Sequence, residues 1–175
     1  MEKRSVDEHS LSALELTRAV LKINPEFYTI WNYRRQILLR TLLVPFEETP
    51  SEHADLAADP KAEHQTGIAC LLMEELVFLQ RLLQGWPKCY WLWNHRLWTL
   101  EQANVFLSPE DAHVFWEGEL KLVRMMLSKD ERNFHGWMYR RIVVERIENP
   151  AHGKHTSRVK SELEFAKGMI QQATT

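Results

Sequence analysis

The residues with the clearest chemical potential in this sequence form the run Pro87-Lys88-Cys89-Tyr90. Proline suits the first position of a helix, so the run predicts a helix that starts at Pro87 and has Lys88 at its second position. The helix dipole disfavours a cation there by about 0.3–1 kcal/mol, because the amino end of a helix is positive. Amides at a helix start and an ammonium group together form an anion site. Lys88 is therefore a candidate anion-binding residue, with a solvated surface lysine as the alternative.

Other common catalytic and metal-binding patterns are absent from the sequence. It has no Gly-x-x-x-x-Gly-Lys loop, no Gly-x-Ser-x-Gly and no His-Glu-x-x-His. The cysteines, Cys70 and Cys89, form no Cys-x-x-Cys pair, and Cys89 has no base at a recognisable spacing. We interpret Cys89 as a small apolar residue rather than a nucleophile. His152 and His155 lack a third ligand, so we expect no metal site in this chain.

Composition narrows the class of protein further. The 175 residues carry 22 Lys+Arg against 24 Asp+Glu, and this near-neutral balance argues against a nucleic-acid partner. Few glycines and prolines, 6 and 7, favour helices over many short strands. No apolar stretch approaches the roughly 20 residues that span a bilayer. The polar start Met1-Glu-Lys-Arg lacks the features of a secretory signal, so we expect a cytoplasmic protein.

Lys88 lies in the middle copy of an internal repeat. Each copy has a tryptophan three positions before an arginine, and the pairs are Trp31 and Arg34, Trp93 and Arg96, and Trp137 and Arg140. Upstream, apolar residues follow the i, i+4, i+5 pattern of one helix face: Leu16/Val20/Leu21, Phe78/Leu82/Leu83 and Leu122/Met126/Leu127. Helical spacing continues downstream of each tryptophan. Each copy therefore predicts a hairpin of two helices.

The hairpins are predicted in one domain, 1–175, as a right-handed α-solenoid in which each hairpin packs on its neighbours. The copies cover about residues 12–43, 68–104 and 111–148, followed by a partial copy at 157–175. In that last copy Phe165, Met169 and Ile170 repeat the upstream pattern. We expect a single helix with an exposed end from Ser161 to Thr175, in part of a longer solenoid.

Residues 44–67 separate the first two copies. They hold three prolines, and six acidic residues stand against Lys61 alone, so the segment cannot bury enough apolar surface to order itself. We predict a mobile acidic insert, whose charge favours plain solvation over a docking site.

The pattern Pro-x-x-Tyr-x-x-Trp-x-x-Arg in tandem helical hairpins resembles the repeat signature of protein prenyltransferase α subunits. The segment Pro87 to Arg96 is the closest match, and the resemblance extends from about Ala13 to Met169. The third copy is more similar to the Rab geranylgeranyltransferase type than to the farnesyltransferase type. The implied fold is all-α, with antiparallel hairpins similar to tetratricopeptide repeats.

The resemblance implies a subunit that is active only with a β subunit, which in this family holds the zinc ion, the lipid cavity and most catalytic groups. This chain is expected to hold no cofactor. The implied reaction is attack of a zinc-bound cysteine thiolate on C1 of geranylgeranyl diphosphate. For the Rab type, the acceptors are C-terminal cysteines of a Rab GTPase presented by an escort protein.

The resemblance also assigns site residues. It implies that Lys88, Tyr90 and His135 stabilise charge on the departing diphosphate, as the catalytic contribution of this chain. Tyr90 could equally be a structural residue, because Tyr28 occupies its place in the first copy. A buried, satisfied histidine is the alternative for His135. Phe134 replaces the tyrosine of farnesyltransferase-type subunits, so one hydroxyl donor is missing.

The repeated tryptophans and arginines are predicted to build the stack, with each guanidinium bonding helix-end carbonyls or an acidic neighbour. Four other tryptophans fall outside the repeat and suit either a partner surface or the core: Trp86, Trp91, Trp98 and Trp116. Two alternative functions remain open. One is the α subunit shared by farnesyltransferase and type I geranylgeranyltransferase, and the other is a non-catalytic helical-repeat scaffold.

Overall fold

The computed structural model describes residues 10–43, 60–148 and 157–173, and every regular element within these ranges is an α-helix. The helices are α1 (Leu11–Ile23), α2 (Tyr28–Leu43), α3 (Pro60–Gly85), α4 (Tyr90–Phe106), α5 (Pro109–Lys129), α6 (Phe134–Glu148) and α7 (Val159–Ala173). The predicted all-α fold of repeated helical hairpins is confirmed, as is the single helix of the partial copy. The right-handed sense of the solenoid stays a prediction. No described helix combines the length and apolar composition needed to span a bilayer.

The chain forms two compact units, residues 1–95 and 96–175, with the division inside α4. In the first unit α1 packs against α2, and in the second unit α5 packs against α6. Ser10 and Ser108 cap α1 and α5 through their hydroxyls, which accept from amides in the first turn. The predicted single domain spanning 1–175 stays a prediction.

All three hairpins turn through the same kind of four-residue segment, in which the fourth amide donates to the first carbonyl. The turns are Asn24 to Phe27 (3.4 Å), Trp86 to Cys89 (3.1 Å) and Asp130 to Asn133 (3.1 Å). The motif tryptophan then donates its indole N–H to the second carbonyl of the turn. These bonds join Trp31 to Pro25 (2.8 Å), Trp93 to Pro87 (2.9 Å) and Trp137 to Glu131 (2.8 Å). Each tryptophan therefore fixes the corner of its own hairpin.

The motif arginines connect consecutive hairpins. Each pairs with a glutamate on the first helix of the next hairpin: Arg34 with Glu75, Arg96 with Glu119, and Arg140 with Glu162. In the first pair the two bonds measure 2.8 Å (Nε to Oε1) and 2.5 Å (Nη2 to Oε2). Arg34 also donates from Nη1 to the Leu14 carbonyl (2.8 Å) and to Thr17 Oγ1 (2.7 Å). The buried Arg34 side chain thus joins α1, α2 and α3, and the predicted bond of each motif arginine to an acidic neighbour is confirmed.

Two of the glutamates accept a further hydrogen bond from their own hairpin. Glu75 contacts His95 (2.9 Å), and Glu119 accepts from the Tyr139 hydroxyl (2.7 Å). His95 and Tyr139 each directly precede the motif arginine of their copy. Burial, and then the Glu119 charge, raise the pKa of Tyr139 well above its ordinary value, so the phenol stays protonated and donates. Both carboxylates are therefore enclosed by donors.

The predicted buried face holds for the second and third copies but is partly wrong for the first. Leu16 is 68% exposed and Val20 is 37% exposed, whereas Leu21 is fully buried. The equivalent face of α3 packs on the preceding hairpin, where the centroid of the Phe78 ring lies 6.4 Å from the centroid of the Trp31 ring. No hairpin precedes α1 in the described ranges, so that face of α1 stays exposed.

The predicted insert, 44–67, is wrong at its carboxyl end. α3 begins at Pro60, because proline is favoured at the first helical position and Glu63 suits the positive amino end of a helix. Residues 44–59 lie outside the described residues. So do His152 and His155.

Replacing Glu119 by glutamine should destabilise the chain by about 3 kcal/mol. The substitution keeps the shape but leaves the buried Arg96 guanidinium without its counter-charge. Urea unfolding followed by circular dichroism measures the change. The control Glu145→Gln alters an exposed residue on α6 and should shift the free energy of unfolding by less than about 0.5 kcal/mol. Equal effects of the two changes would contradict a structural role for the pair.

Candidate functional site

Lys88 lies in the turn before α4 rather than inside a helix. The turn runs from Trp86 to Cys89 and α4 begins at Tyr90, so the prediction that Pro87 and Lys88 are the first two helical residues is wrong. Proline favours the second position of a tight turn as well as a helix start, because its φ angle suits both. The Lys88 side chain is exposed.

Tyr90 is the first residue of α4, so the structure brings it and Lys88 together at one end of that helix. Its side chain is 51% exposed. The ring packs edge-on against Trp91 at 5.1 Å, and Trp91 also lies 5.5 Å from the ring of Tyr28. Asn94, one turn further along α4, donates from Nδ2 to the Tyr90 hydroxyl oxygen at 3.5 Å.

A half-buried arginine on α2 connects this surface to the interior. Arg35 donates from Nη2 to Asn94 Oδ1 (2.7 Å) and from Nε to His95 Nδ1 (3.2 Å). Burial lowers the pKa of Arg35, while Tyr90 acts in the opposite direction. An arginine keeps its charge at neutral pH despite such a shift. Arg35 therefore places a permanent positive charge close to the Tyr90 side chain.

The inner end of this chain of contacts is the buried carboxylate of Glu75. Burial alone would raise the pKa of Glu75, but hydrogen bonds from Arg34 and His95 lower it to about 2. Burial lowers the pKa of His95, against the opposing effect of Glu75, so the imidazole is neutral at pH 7. Because its Nδ1 accepts from Arg35, the proton lies on Nε2 and is donated to Glu75.

Cys89 is a structural residue, as the sequence predicted. Its thiol is buried and donates to the Pro25 carbonyl at 3.5 Å. Burial, together with the nearby Glu26, raises its pKa to about 11. A thiol with so high a pKa holds almost no thiolate at neutral pH, so it is a poor nucleophile.

His135 belongs to the second unit, where it is the second residue of α6. It is half-buried, and its ring lies 6.1 Å from that of Phe134. Arg132, at the turn position equivalent to Lys88, is an exposed cation to which the sequence patterns did not point. The roles of Lys88, Tyr90 and His135 stay predictions.

The tryptophans outside the repeat divide between surface and core. Trp86 is 46% exposed, Trp91 and Trp98 are half-buried, and Trp116 is fully buried with its indole bonded to Asn104. Among the residues whose positions the structure describes, no three His, Cys, Asp or Glu side chains lie close enough together to hold a metal ion.

The sequence patterns did not point to Arg35, Asn94 or Glu75. A usable signal exists for the glutamate, because Glu75, Glu119 and Glu162 each lie three residues before the apolar residue that opens the upstream pattern. Asn94 recurs as Asn32 in the first copy and Arg35 recurs as Arg141 in the third copy, but this recurrence does not show their role, which arises from contacts between helices.

Comparisons with known proteins agree with the repeat. The sequence profile of the family described as "Protein prenyltransferase alpha subunit repeat" matches residues 10–41, 72–103 and 116–147. The chain is 40% identical over 144 residues to "Geranylgeranyl transferase type-2 subunit alpha" of Saccharomyces cerevisiae, across 81% of this chain and 35% of that protein. The protein of the same name from Homo sapiens is 36% identical over 149 residues, or 85% of this chain and 22% of that protein.

Among solved structures, the chain is similar to "Candida albicans protein geranylgeranyltransferase-I complexed with GGPP". The TM-score is 0.59 at 23% identity, across 94% of this chain and 42% of that chain. This likeness concerns the fold alone. The chain spans about a third or less of the length of these two curated relatives.

The free energy of unfolding should fall as the pH drops below about 6.5. In this range the His95 side chain becomes protonated in the unfolded chain but stays neutral in the folded chain, so the unfolded state binds more protons. The free energy of unfolding therefore falls by up to about 1.4 kcal/mol for each unit of pH. Below about pH 4.3, Glu75 adds a loss of the same sign, because its folded pKa is about 2. Urea unfolding at pH 7.5, 6.5 and 5.5 measures the slope.

Replacing His95 by glutamine should flatten that slope between pH 6.5 and 5.5. A wild-type stability that is constant over this range would show that His95 titrates normally in the folded chain.

Proposed function

The chain belongs to the protein prenyltransferase alpha subunit family, because three repeat matches cover more than half of its residues; on that premise, we propose that it is part of the α subunit of a type II protein geranylgeranyltransferase. The subtype is supported by relatives of that name at 36–40% identity over most of this chain. The observation on which the role of the chain depends is the pair of exposed side chains, Lys88 and Tyr90, at the start of α4.

In the proposed reaction a geranylgeranyl group moves from geranylgeranyl diphosphate to a cysteine of a protein substrate. The cysteine reacts as its thiolate, after loss of the thiol proton: a bond forms between the sulfur and C1 of the lipid, the bond from C1 to oxygen breaks, and diphosphate leaves with the electron pair. Negative charge therefore grows on the diphosphate oxygen in the transition state. Fixed donors near that oxygen lower the barrier, because they stabilise the transition state more than the substrate.

Lys88 and Tyr90 are proposed to act on this leaving group. The turn exposes the Lys88 ammonium group, and its position on a short turn closed by a backbone hydrogen bond limits where the group can move. Tyr90 presents a hydroxyl donor two residues later, and Arg35 adds positive charge behind it. One end of α4 thus carries two cations, Lys88 and Arg35, and one hydroxyl donor, a combination that suits a diphosphate.

His135 is proposed as a third donor to the diphosphate. It is half-buried at the start of α6, where helix amides and the dipole also favour an anion. Phe134 has no hydroxyl, so this helix start offers one donor fewer than the start of α4.

The partners follow from the same proposal. A β subunit would supply the lipid cavity and a zinc ion that activates the substrate thiol. The protein substrate is a Rab GTPase presented by an escort protein, and the enzyme acts in the cytoplasm.

Replacing Lys88 by alanine in the assembled enzyme should lower kcat by about 100-fold, the smaller end of the loss seen when one transition-state donor is removed. Affinity for geranylgeranyl diphosphate should change by less than about 3-fold, because Lys88 is proposed to act on the additional charge that grows on the oxygen leaving C1 in the transition state. Single-turnover transfer of radiolabelled lipid measures the chemical step, and fluorescence titration with a lipid analogue measures binding.

The control Lys22→Ala removes a lysine from an exposed position on α1 and should leave both values unchanged. Wild-type turnover in Lys88→Ala would refute the role assigned to this lysine.

The substrate class is tested by offering the assembled enzyme two kinds of acceptor. We expect lipid transfer to a Rab GTPase in the presence of escort protein, and at least about 100-fold slower transfer to a peptide ending in Cys-a-a-X, a discrimination of about 2.7 kcal/mol. The opposite preference would identify the α subunit shared by farnesyltransferase and the type I enzyme. Failure to capture any prenyltransferase β subunit would instead indicate a non-catalytic scaffold.

A further inference from the structure

The Tyr90 hydroxyl is held by a side chain whose orientation is itself fixed. Arg35 Nη2 donates to Asn94 Oδ1 at 2.7 Å, so the amide oxygen of Asn94 faces the guanidinium. The amide nitrogen then faces Tyr90 and donates to its oxygen at 3.5 Å. An arginine can only donate, so the reverse orientation of the amide would place two donors against each other.

This orientation decides the direction of the phenol proton. The Tyr90 oxygen accepts from Asn94, so its own O–H bond points away from Asn94. The 3.5 Å separation is long for a hydrogen bond. Contacts of this kind in ligand-free sites commonly shorten when the reacting group binds.

The anchor of this arrangement is buried. Arg35 donates from Nε to the neutral His95, and His95 donates to the Glu75 carboxylate, which the Arg34 guanidinium also holds. Arg35 thus has one donor in the interior and one at the surface. A lysine, with a single nitrogen, could not bridge both partners in the same planar geometry.

We propose that Arg35 and Asn94 are positioning residues for Tyr90, which direct its hydroxyl proton to an oxygen of the anionic leaving group. The inference rests on the proposed function, since it takes the departing diphosphate as the acceptor. Neither residue touches the reacting atoms. Arg35 holds Asn94, Asn94 donates to Tyr90, and Tyr90 alone meets the ligand.

A double-mutant cycle in the assembled enzyme tests the proposal. Tyr90→Phe and Asn94→Leu should each lower kcat about 10-fold, the worth of one hydrogen bond to a charged group. The double variant should be no slower than Tyr90→Phe by more than about 2-fold, because Asn94 acts only through the hydroxyl. The KM for geranylgeranyl diphosphate should stay within about 3-fold in all three.

Arg35→Lys provides an independent arm. It keeps the charge but loses the fork, so it should match Asn94→Leu in kcat and likewise have no further effect in the Tyr90→Phe background. The control Arg40→Lys makes the same change at an exposed position of α2 and should leave kcat unchanged. Thermal unfolding of each variant identifies any loss of activity that is only a loss of folded enzyme.

The outcomes separate this inference from the proposed function. Losses that multiply to about 100-fold in the double variant would show that Asn94 acts independently of Tyr90, and would overturn the inference. Full turnover in Tyr90→Phe alongside a loss in Lys88→Ala would also overturn it while leaving the proposed function intact. Full turnover in both Tyr90→Phe and Lys88→Ala would overturn the inference and the proposed site together.

Discussion

A buried carboxylate between consecutive hairpins is the constraint on which the rest of this structure depends. A helix hairpin alone buries only part of its apolar surface, so it is stable only against a neighbour. Removing a glutamate and an arginine from water costs several kcal/mol for each ion, and the cost is recovered only with complete hydrogen bonding. Glu75 meets that condition with Arg34 and His95, and Glu119 meets it with Arg96 and Tyr139. Misplaced hairpins would leave these charges unpaired, so the pairs select one register.

The same buried carboxylate also positions the residues of the candidate site. Arg34 and Arg35 are neighbours on α2, and successive residues on a helix point about 100° apart. Arg34 is directed into the core, and Arg35 therefore reaches the boundary between core and solvent, where it contacts both His95 and Asn94. Tyr90 and Lys88 carry little of the packing and stay exposed. The fold thus places buried, fully bonded groups directly behind exposed donors, which is the arrangement that preorganised stabilisation of a leaving group requires.

The sequence predicted the hairpins because their signals are local: tryptophan, arginine and apolar residues recur at helical spacing within each copy. It misplaced Lys88 and Pro60 because proline suits both a turn and a helix start. None of the three glutamate partners was named from the sequence, because the pairs join residues 41, 23 and 22 positions apart on different hairpins. The contact between Arg35 and Asn94 could not be predicted from spacing, since only the packing of α2 against α4 brings the two side chains together.

The most direct test of the central claim is the coupling energy between Arg34 and Glu75, measured by urea unfolding of Arg34→Met, Glu75→Gln and the double variant. If the buried pair holds consecutive hairpins in register, each single change leaves a partner uncompensated, and the double variant is more stable than additivity predicts by about 2–3 kcal/mol. Additive losses, within about 0.5 kcal/mol, would show that the two residues act separately and would contradict the account.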